Sequence, residues 1–389
     1  MLDAQTFFDR VKTDLPGDGA ARMAALALAE SAGLPTRRAE NWHYTELSRL
    51  LKMSADDAVD AVDFAALGAV EAAFENGRLE ALPKAEGLQV TAFENATAIS
   101  DAAMAHYNVA LAQDGLLADV SGMQAAPLLL TTTGAQHAHL AHRINLHAGA
   151  RAVLIDNHMA SGYANVTFDI NLEEGAELSV IRLQQAGHQI GQSRVRLGEN
   201  ARYKSVALIV GGALARHETH IQLNAAGAHA DLHSAVLGQG KNHADFTYVI
   251  DHAAADTSSE TTAYNVLGAA SRGVFQGKVI VRPDAQRVDA QMQTRAMMLS
   301  EGAEMDAKPE LEIYADDVAC AHGSAIGELD RDALFFLRSR GLSEAAARHL
   351  LIAGFIEQVT AHIDHAALAD VLRGLIDTKI AGLLTGDAK

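Results

Sequence analysis

The 389-residue sequence contains a single cysteine, Cys320. One thiol excludes an intrachain disulfide framework and a cysteine-rich structural zinc site, and it is typical of a reducing compartment. No run of about 18 uncharged apolar residues occurs, so we expect no membrane-spanning helix. The N-terminal residues lack the basic and apolar regions of a signal peptide. We therefore expect a cytoplasmic protein.

Basic residues are in deficit, because 31 Lys and Arg face 49 Asp and Glu, which gives a net charge of −18. Nucleic acids and anionic membranes recruit clustered positive charge, so we expect neither as a partner. Aromatic residues make up only 5% of the chain, whereas hydrophobic residues make up 49%. This composition is globular, and it predicts a core built from aliphatic side chains and alanine.

Short runs of alternating apolar and polar residues fill the chain from about residue 85 to 320, for example Val166–Leu172 and Tyr203–Val210. This alternation predicts strands. Four of the strands follow a turn pair that ends in alanine, at Gly149-Ala150, Gly175-Ala176, Asn200-Ala201 and Gly227-Ala228. The alanines recur at a nearly constant step of about 25 residues, and a steady step of this size is typical of stacked-coil proteins. It favours a β-helix over the alternative, a β-sandwich.

Helical periodicity is predicted on both sides of this strand region. From residue 1 to about 75 it covers Asp3–Lys12 and Ala20–Ala32, and near the C-terminus it covers Asp330–Arg338, Ser343–Val359 and Ala366–Leu384. We therefore expect three regions, which are an N-terminal helical region 1–80, a β-helix core 81–327 and a C-terminal helical domain 328–389.

Two features of these helical regions suggest packing roles. Trp42 lies in a predicted loop, where we expect it to anchor the N-terminal helices on the rest of the fold. Leu350, Leu351, Phe355 and Val359 form an apolar stripe that either packs within the C-terminal domain or docks a partner.

Cys320 and His322 are two residues apart in a predicted strand, so their side chains share one face. A thiolate beside an imidazole can ligate a soft metal or an iron–sulfur cluster, or act as a nucleophile and its base. The alternative is a buried, inert cysteine. Because the pair comes at the end of the strand region, a partner could complete a site there.

Other constellations are weaker. His137 and His139 share a strand face, but no nearby carboxylate completes a metal site, so structural histidines are favoured. Gly238–Lys241 resembles half of a phosphate-binding loop, but it lacks the full spacing and the following Ser or Thr, and we reject it. A carbohydrate-active β-helix enzyme would need acid and base residues that converge from adjacent coils, and one sequence does not show this.

Several segments together resemble the SufB/SufD family of iron–sulfur cluster assembly proteins. They are Leu34–Thr45, Phe275–Val281, Lys308–Gly327 and Leu329–Leu342. The chain is most similar to the SufD members, because it is shorter than SufB usually is, carries Cys-Ala-His-Gly at 320–323, and has a SufD-like N-terminal segment.

The resemblance implies a mainly β fold, a right-handed parallel β-helix between helical segments. It also implies a non-catalytic scaffold that pairs end to end with a SufB-like paralogue. A SufC-like ATPase would bind the C-terminal helices, and its contact candidates are Phe335, Leu350, Leu351, Phe355 and Val359.

Within such a complex, His322 and Cys320 would lie at the SufB interface, with His322 the better candidate for ligating iron or the cluster. One cysteine cannot hold a cluster alone, so we expect no cofactor bound tightly by this chain and only a transient cluster or iron in the complex. A reduced flavin is also implied for the complex, with no residue assigned to it. In isolation the chain could form a homodimer through the same end of the β-helix.

Overall fold

A computed structural model describes residues 15–53, 59–60 and 62–386 of the chain. The predicted helix Asp3–Lys12 lies outside these residues. The described part is mainly β, and its strands are β1 Val70–Glu75, β2 Arg78–Leu79, β3 Leu88–Thr91, β4 Leu117–Val120, β5 Leu128–Thr133, β6 Ala138–Leu146, β7 Arg151–His158, β8 Tyr163–Leu172, β9 Glu177–Gln184, β10 His188–Leu197, β11 Arg202–Ile209, β12 Leu214–Leu223, β13 His229–Gly238, β14 His243–His252, β15 Ser258–Leu267, β16 Arg272–Val281, β17 Val288–Met298, β18 Glu304–Ile313 and β19 Val318–Glu328.

The strands form two sheets, and from β5 onwards successive strands alternate between them. Sheet A has the order β19-β17-β15-β13-β11-β9-β7-β5-β1-β2, and sheet B has the order β18-β16-β14-β12-β10-β8-β6-β4-β3. All neighbours pair in parallel except β1 with β2 and β3 with β4. Each coil therefore contributes one strand to each sheet, and about seven such turns stack into a parallel β-solenoid. The predicted β-helix is confirmed, and the β-sandwich alternative was wrong.

The length of a coil increases along the solenoid. Tyr163 pairs with His188 in an early coil, whereas Arg272 pairs with Glu304 in a late one, so the late coil takes up more of the chain. One cause is that the strands of sheet A lengthen, from 8 residues in β7, β9 and β11 to 10 or 11 residues from β13 onwards. The step predicted from the turn alanines therefore describes the earlier coils only.

The turn residues that set this step form a ladder of their own. Gly149, Gly175, Asn200 and Gly227 all have left-handed backbones, with φ between 54° and 72°. The amide of each donates to a carbonyl of the next coil, for example from Gly149 to Glu174 over 2.8 Å. Each following alanine is fully buried. Glycine and asparagine are the residues that adopt this conformation most readily, which is why they occupy the turns.

Helices cover the outer faces of both sheets. They are α1 Gly19–Ala32, α2 Leu47–Leu50, α3 Ala103–Leu111, α4 Arg331–Ser339, α5 Glu344–Thr360 and α6 Ala366–Gly386, with 3₁₀ turns at Glu40–Trp42 and Ala65–Leu67. Helices α5 and α6 pack on sheet A through residues such as Ile352 and Leu372, and α1 and α3 pack on sheet B through Leu26 and Leu111. The described residues contain no helix with the length and apolarity needed to cross a membrane.

Two expectations about these regions need correction. Val70–Glu75, expected to be helical, forms β1 and pairs with β5, because Ala72 and Phe74 alternate into the solenoid core with no exposed surface. Conversely, helix α3 lies inside the range 81–327 that was expected to be β-helix. The sheets therefore begin within the predicted N-terminal helical region.

The segment 36–53, called the strap here, holds the N-terminal region against sheet B. Trp42 is buried and lies under the Arg216 guanidinium, 4.2 Å from the ring centroid. Arg216 is fully buried and pairs with Asp245 and, over 2.9 Å, with Glu218. Thr45 of the strap also donates its hydroxyl to Asp245. The anchoring role expected for Trp42 is confirmed.

Candidate functional site

The last coil of the solenoid has an open end. Strands β18 and β19 are the terminal strands of sheets B and A, so one backbone edge of each has no neighbouring strand in the described chain. Natural proteins protect such edges with charged residues, proline or covering segments, since an open edge pairs readily with another chain. β18 carries Pro309 and several charges.

Strand β19 has little of this protection. From Val318 to Gly327 it contains no Asp, Glu, Lys or Arg, and from Ala321 to its end every residue is exposed. Ile313 and Tyr314 at the end of β18, and Ile326 in β19, are large apolar side chains exposed by 40%, 60% and 53%. A long uncharged edge beside exposed apolar side chains can accept a further strand.

Cys320 and His322 lie on this strand. Parallel pairing sets Cys320 beside Ala290 and His322 beside Met292, and both of these β17 residues are buried in the solenoid core. Side chains in register share a face, so Cys320 and His322 lie on the core side of β19, where the last coil leaves the core open. Cys320 is half-buried and His322 is exposed. The pair therefore borders the end of the solenoid, as its position in the sequence predicted.

The electrostatic surroundings keep the sulfur protonated. Partial burial raises the pKa of the Cys320 thiol, the Ala290 backbone hydrogen bond lowers it by a smaller amount, and the nearby Asp289 carboxylate adds a still smaller increase. The thiolate is the form that ligates metals. This chain by itself therefore does not activate its cysteine, and a cation at the site would have to displace the proton.

The ligand set within this chain is incomplete. In the part of the chain that the structure describes, no three His, Cys, Asp or Glu side chains come together in a way that could hold a metal. Cys320 and His322 provide two donors, whereas an iron–sulfur cluster is held by about four protein ligands. A cluster at this end would therefore need donors beyond those that the described residues provide.

Strand β19, which carries Cys320 and His322, leads directly into the C-terminal helices. β19 ends at Glu328, and Asp330 caps α4 by accepting hydrogen bonds from the amides of Asp332 and Ala333. Only Leu329 lies between the strand end and the capping residue. A displacement of α4 along the chain would therefore act directly on the strand that bears Cys320 and His322.

Helix α4 has an unusual burial pattern. Its sequence includes Leu334, Phe335, Phe336 and Leu337, yet none of its residues is buried, and Phe335 and Phe336 are 75% and 55% exposed. Leu350 on α5 is 51% exposed. Phe336 was not among the contact candidates predicted from the sequence, although the adjacent Phe335 was.

The remaining predicted contact residues have other surroundings. Val359 is fully buried between α5 and sheet A, so it stabilises the chain's own core and offers no surface. The Phe355 ring packs edge-on against Tyr264, with centroids 4.8 Å apart, and Leu351 is half-buried. The predicted stripe is therefore divided between an inner and an outer face of the helix.

Comparison with known proteins identifies a family model and several relatives to which this chain is similar. Residues 129–355 match the model of the SufBD core domain of the SUF system of FeS cluster assembly. The iron-sulfur cluster assembly protein SufD of Escherichia coli is 29% identical over 381 residues, which cover 90% of each chain. A SufBD family protein of Synechocystis is 31% identical over 222 residues, covering 56% of this chain and 49% of the relative. Bacillus subtilis SufD is 29% identical over 154 residues, covering 40% and 35%.

Proposed function

This chain belongs to the SufBD family of the SUF system of iron–sulfur cluster assembly, and we propose that it is a scaffold subunit that builds a cluster site jointly with a SufB-like partner. The observation that carries the proposal is the uncharged, exposed edge of β19 with Cys320 and His322 beside it. A partner solenoid that adds its own terminal strand here would satisfy the open edge and bring further ligands to the pair.

In this arrangement His322 is the first ligand and Cys320 a supporting one. His322 is exposed, so its imidazole can bind iron without moving the backbone. Cys320 is half-buried with a raised pKa, which makes it the slower of the two to deprotonate and bind. The cluster is cargo that passes through the interface, and we assign no catalytic residue and no flavin contact to this chain.

The exposed apolar surface of α4 and α5 is the proposed contact for a SufC-like ATPase. Phe335, Phe336 and Leu350 present large apolar groups to solvent, and large exposed apolar patches on soluble chains commonly mark interaction sites. Movement of the ATPase on binding ATP would pull on α4 and, through Leu329, on β19. Crosslinks between β19 and the partner should therefore change with ATP, and an unchanged pattern would count against this coupling.

The ligand role is tested by His322→Ala in the chain co-expressed with SufB-like and SufC-like proteins. We expect the variant to fold and assemble normally but to mature client iron–sulfur proteins more slowly. The control is His147→Ala, an exposed histidine on an early coil. Normal maturation by the His322 variant would refute the ligand role while leaving the docking proposal in place.

A second candidate is a homodimer through the same edge, since two copies of β19 would each satisfy the other. This state would compete with the SufB-like partner. Sedimentation of the isolated chain, with and without the partner, distinguishes them. The carbohydrate-enzyme alternative gains nothing from the structure, because helices cover outer faces of both sheets, where an extended polymer would lie.

A further inference from the structure

A cavity of about 470 Å³ lies between the strap and sheet B. The strap contributes Arg37 and Arg49 to its wall. The solenoid contributes Lys241 from the β13–β14 turn, and then His243 and Arg272, which begin β14 and β16 and stand in register. The volume is within the range of small-molecule sites, about 300–1,000 Å³.

The charge of the wall is opposite to that of the whole chain. Among the described lining residues, Arg37, Arg49, Lys241 and Arg272 are cationic, and Glu46 and Glu304 are acidic. Acidic residues outnumber basic ones by 49 to 31 over the full sequence. A wall with twice as many cations as carboxylates is therefore a local concentration of positive charge.

Three of these cations have no carboxylate partner within the described part of the chain. Arg272 is neutralised by Asp306, at 2.5 Å, and by Glu304, at 3.4 Å. By contrast, Arg37, Arg49 and Lys241 form no ion pair with any of the described residues. Their mutual repulsion decreases when an anion binds between them, and guanidinium groups bind phosphate oxygens with two parallel hydrogen bonds.

The rest of the wall suits an uncharged portion of a ligand. Burial lowers the pKa of His243 to about 4, so this ring is neutral at pH 7, and its Nε2 lies 2.9 Å from the Thr45 hydroxyl. Tyr44, Leu50 and Met53 add aromatic and aliphatic surface from the strap. The cavity therefore combines a cationic rim with a neutral, partly apolar wall.

We propose that this cavity, the strap pocket, binds a phosphate-bearing small molecule through Arg37, Arg49 and Lys241. The rejected resemblance of Gly238–Lys241 to a phosphate loop plays no part here, because the site depends on side chains that the fold brings together from 37 to 272. The ligand class is defined by the phosphate group, and it includes both free polyphosphate and nucleotides. This site is independent of the cluster role proposed above.

The test is calorimetric titration of the purified full chain with sodium pyrophosphate and, separately, with ADP at fixed ionic strength. We expect at least one of them to bind with a Kd below about 1 mM. Arg49→Gln and Lys241→Gln should each weaken that binding by at least about tenfold. The matched control is Arg202→Gln, an exposed arginine on sheet A, which should leave binding unchanged. Thermal unfolding of each variant confirms that it is folded.

The two probes separate the sources of the phosphate. Equal affinity for pyrophosphate and ADP would show that the site recognises the phosphate groups alone. Tighter binding of ADP that is abolished by Tyr44→Ala would show that the site recognises a nucleotide. The proposal is overturned if neither probe saturates below about 10 mM. It is also overturned if Arg202→Gln weakens binding as much as the pocket variants, or if citrate binds more tightly than both probes.

Discussion

Replacing Asp245 with alanine should release the strap from sheet B. Asp245 is fully buried and accepts hydrogen bonds from the Arg216 guanidinium and from the hydroxyls of Thr45 and Thr247. Burial opposes the charge on Arg216, but Asp245 and Glu218 together hold its pKa above the usual value. Without Asp245, Glu218 is the one counterion that the described residues leave to the buried guanidinium.

The expected cost is large because one buried charge loses a partner. Breaking a buried ion pair from one side typically costs about 3–5 kcal/mol in the free energy of unfolding. Asp251→Ala is the matched control, since Asp251 lies on the same strand and pairs with the half-exposed Arg282 over 2.7 Å. A pair at the surface contributes about 0–1 kcal/mol.

Urea unfolding of both variants measures these costs, and hydrogen exchange over residues 36–53 shows whether the strap detaches. The double variant Arg216→Met/Asp245→Ala should cost less than the sum of its single variants, because neither Arg216 nor Asp245 is then left unpaired and Glu218 keeps its contact with His220. If Asp245→Ala destabilises the chain no more than Asp251→Ala does, the account of the strap is refuted.

Two further predictions concern acid and the C-terminal surface. Burial lowers the pKa of His142 to about 3 and that of His158 to about 4, against a usual value of 6.5, so below pH 6.5 only the unfolded chain gains these protons. The urea concentration at the unfolding midpoint should therefore decrease as the pH is lowered from 6.5 to 4.5, and each histidine should contribute up to about 1.4 kcal/mol per pH unit. His158→Gln should make this pH dependence less steep, and an unchanged pH dependence would contradict the prediction. Phe335→Asp lies on a helix with no buried residue, so it should change the free energy of unfolding by less than about 0.5 kcal/mol. It should weaken capture of a SufC-like ATPase at least about tenfold. Equal capture by the variant and the parent chain would refute the contact.

The parts of the fold that follow from local patterns could be predicted. Gly175 and Asn200 identify turns because few residues tolerate a left-handed backbone, and the alanine after each must fit a narrow interior. Ser343 could be assigned as the cap of α5 for a similar local reason, and its hydroxyl does accept a hydrogen bond from the Ala346 amide.

The parts that depend on distant contacts could not be predicted. Thr45 and Asp245 are 200 residues apart, and no pattern near either one indicates their hydrogen bond. Helix α5 is apolar on several sides, so the sequence does not show that Val359 faces sheet A whereas Leu350 faces solvent. β1 was missed because its alanines suit a helix as well as a strand. The ligand roles of Cys320 and His322 remain predictions.

We propose that the open end of the solenoid joins a partner to form a cluster site. Its most direct test is co-expression of the chain with SufB-like and SufC-like proteins, followed by purification through a tag on this chain alone. We expect the three proteins to purify together and the complex to show iron–sulfur absorption. Recovery of this chain alone, or of a full complex that never acquires that absorption, would contradict it.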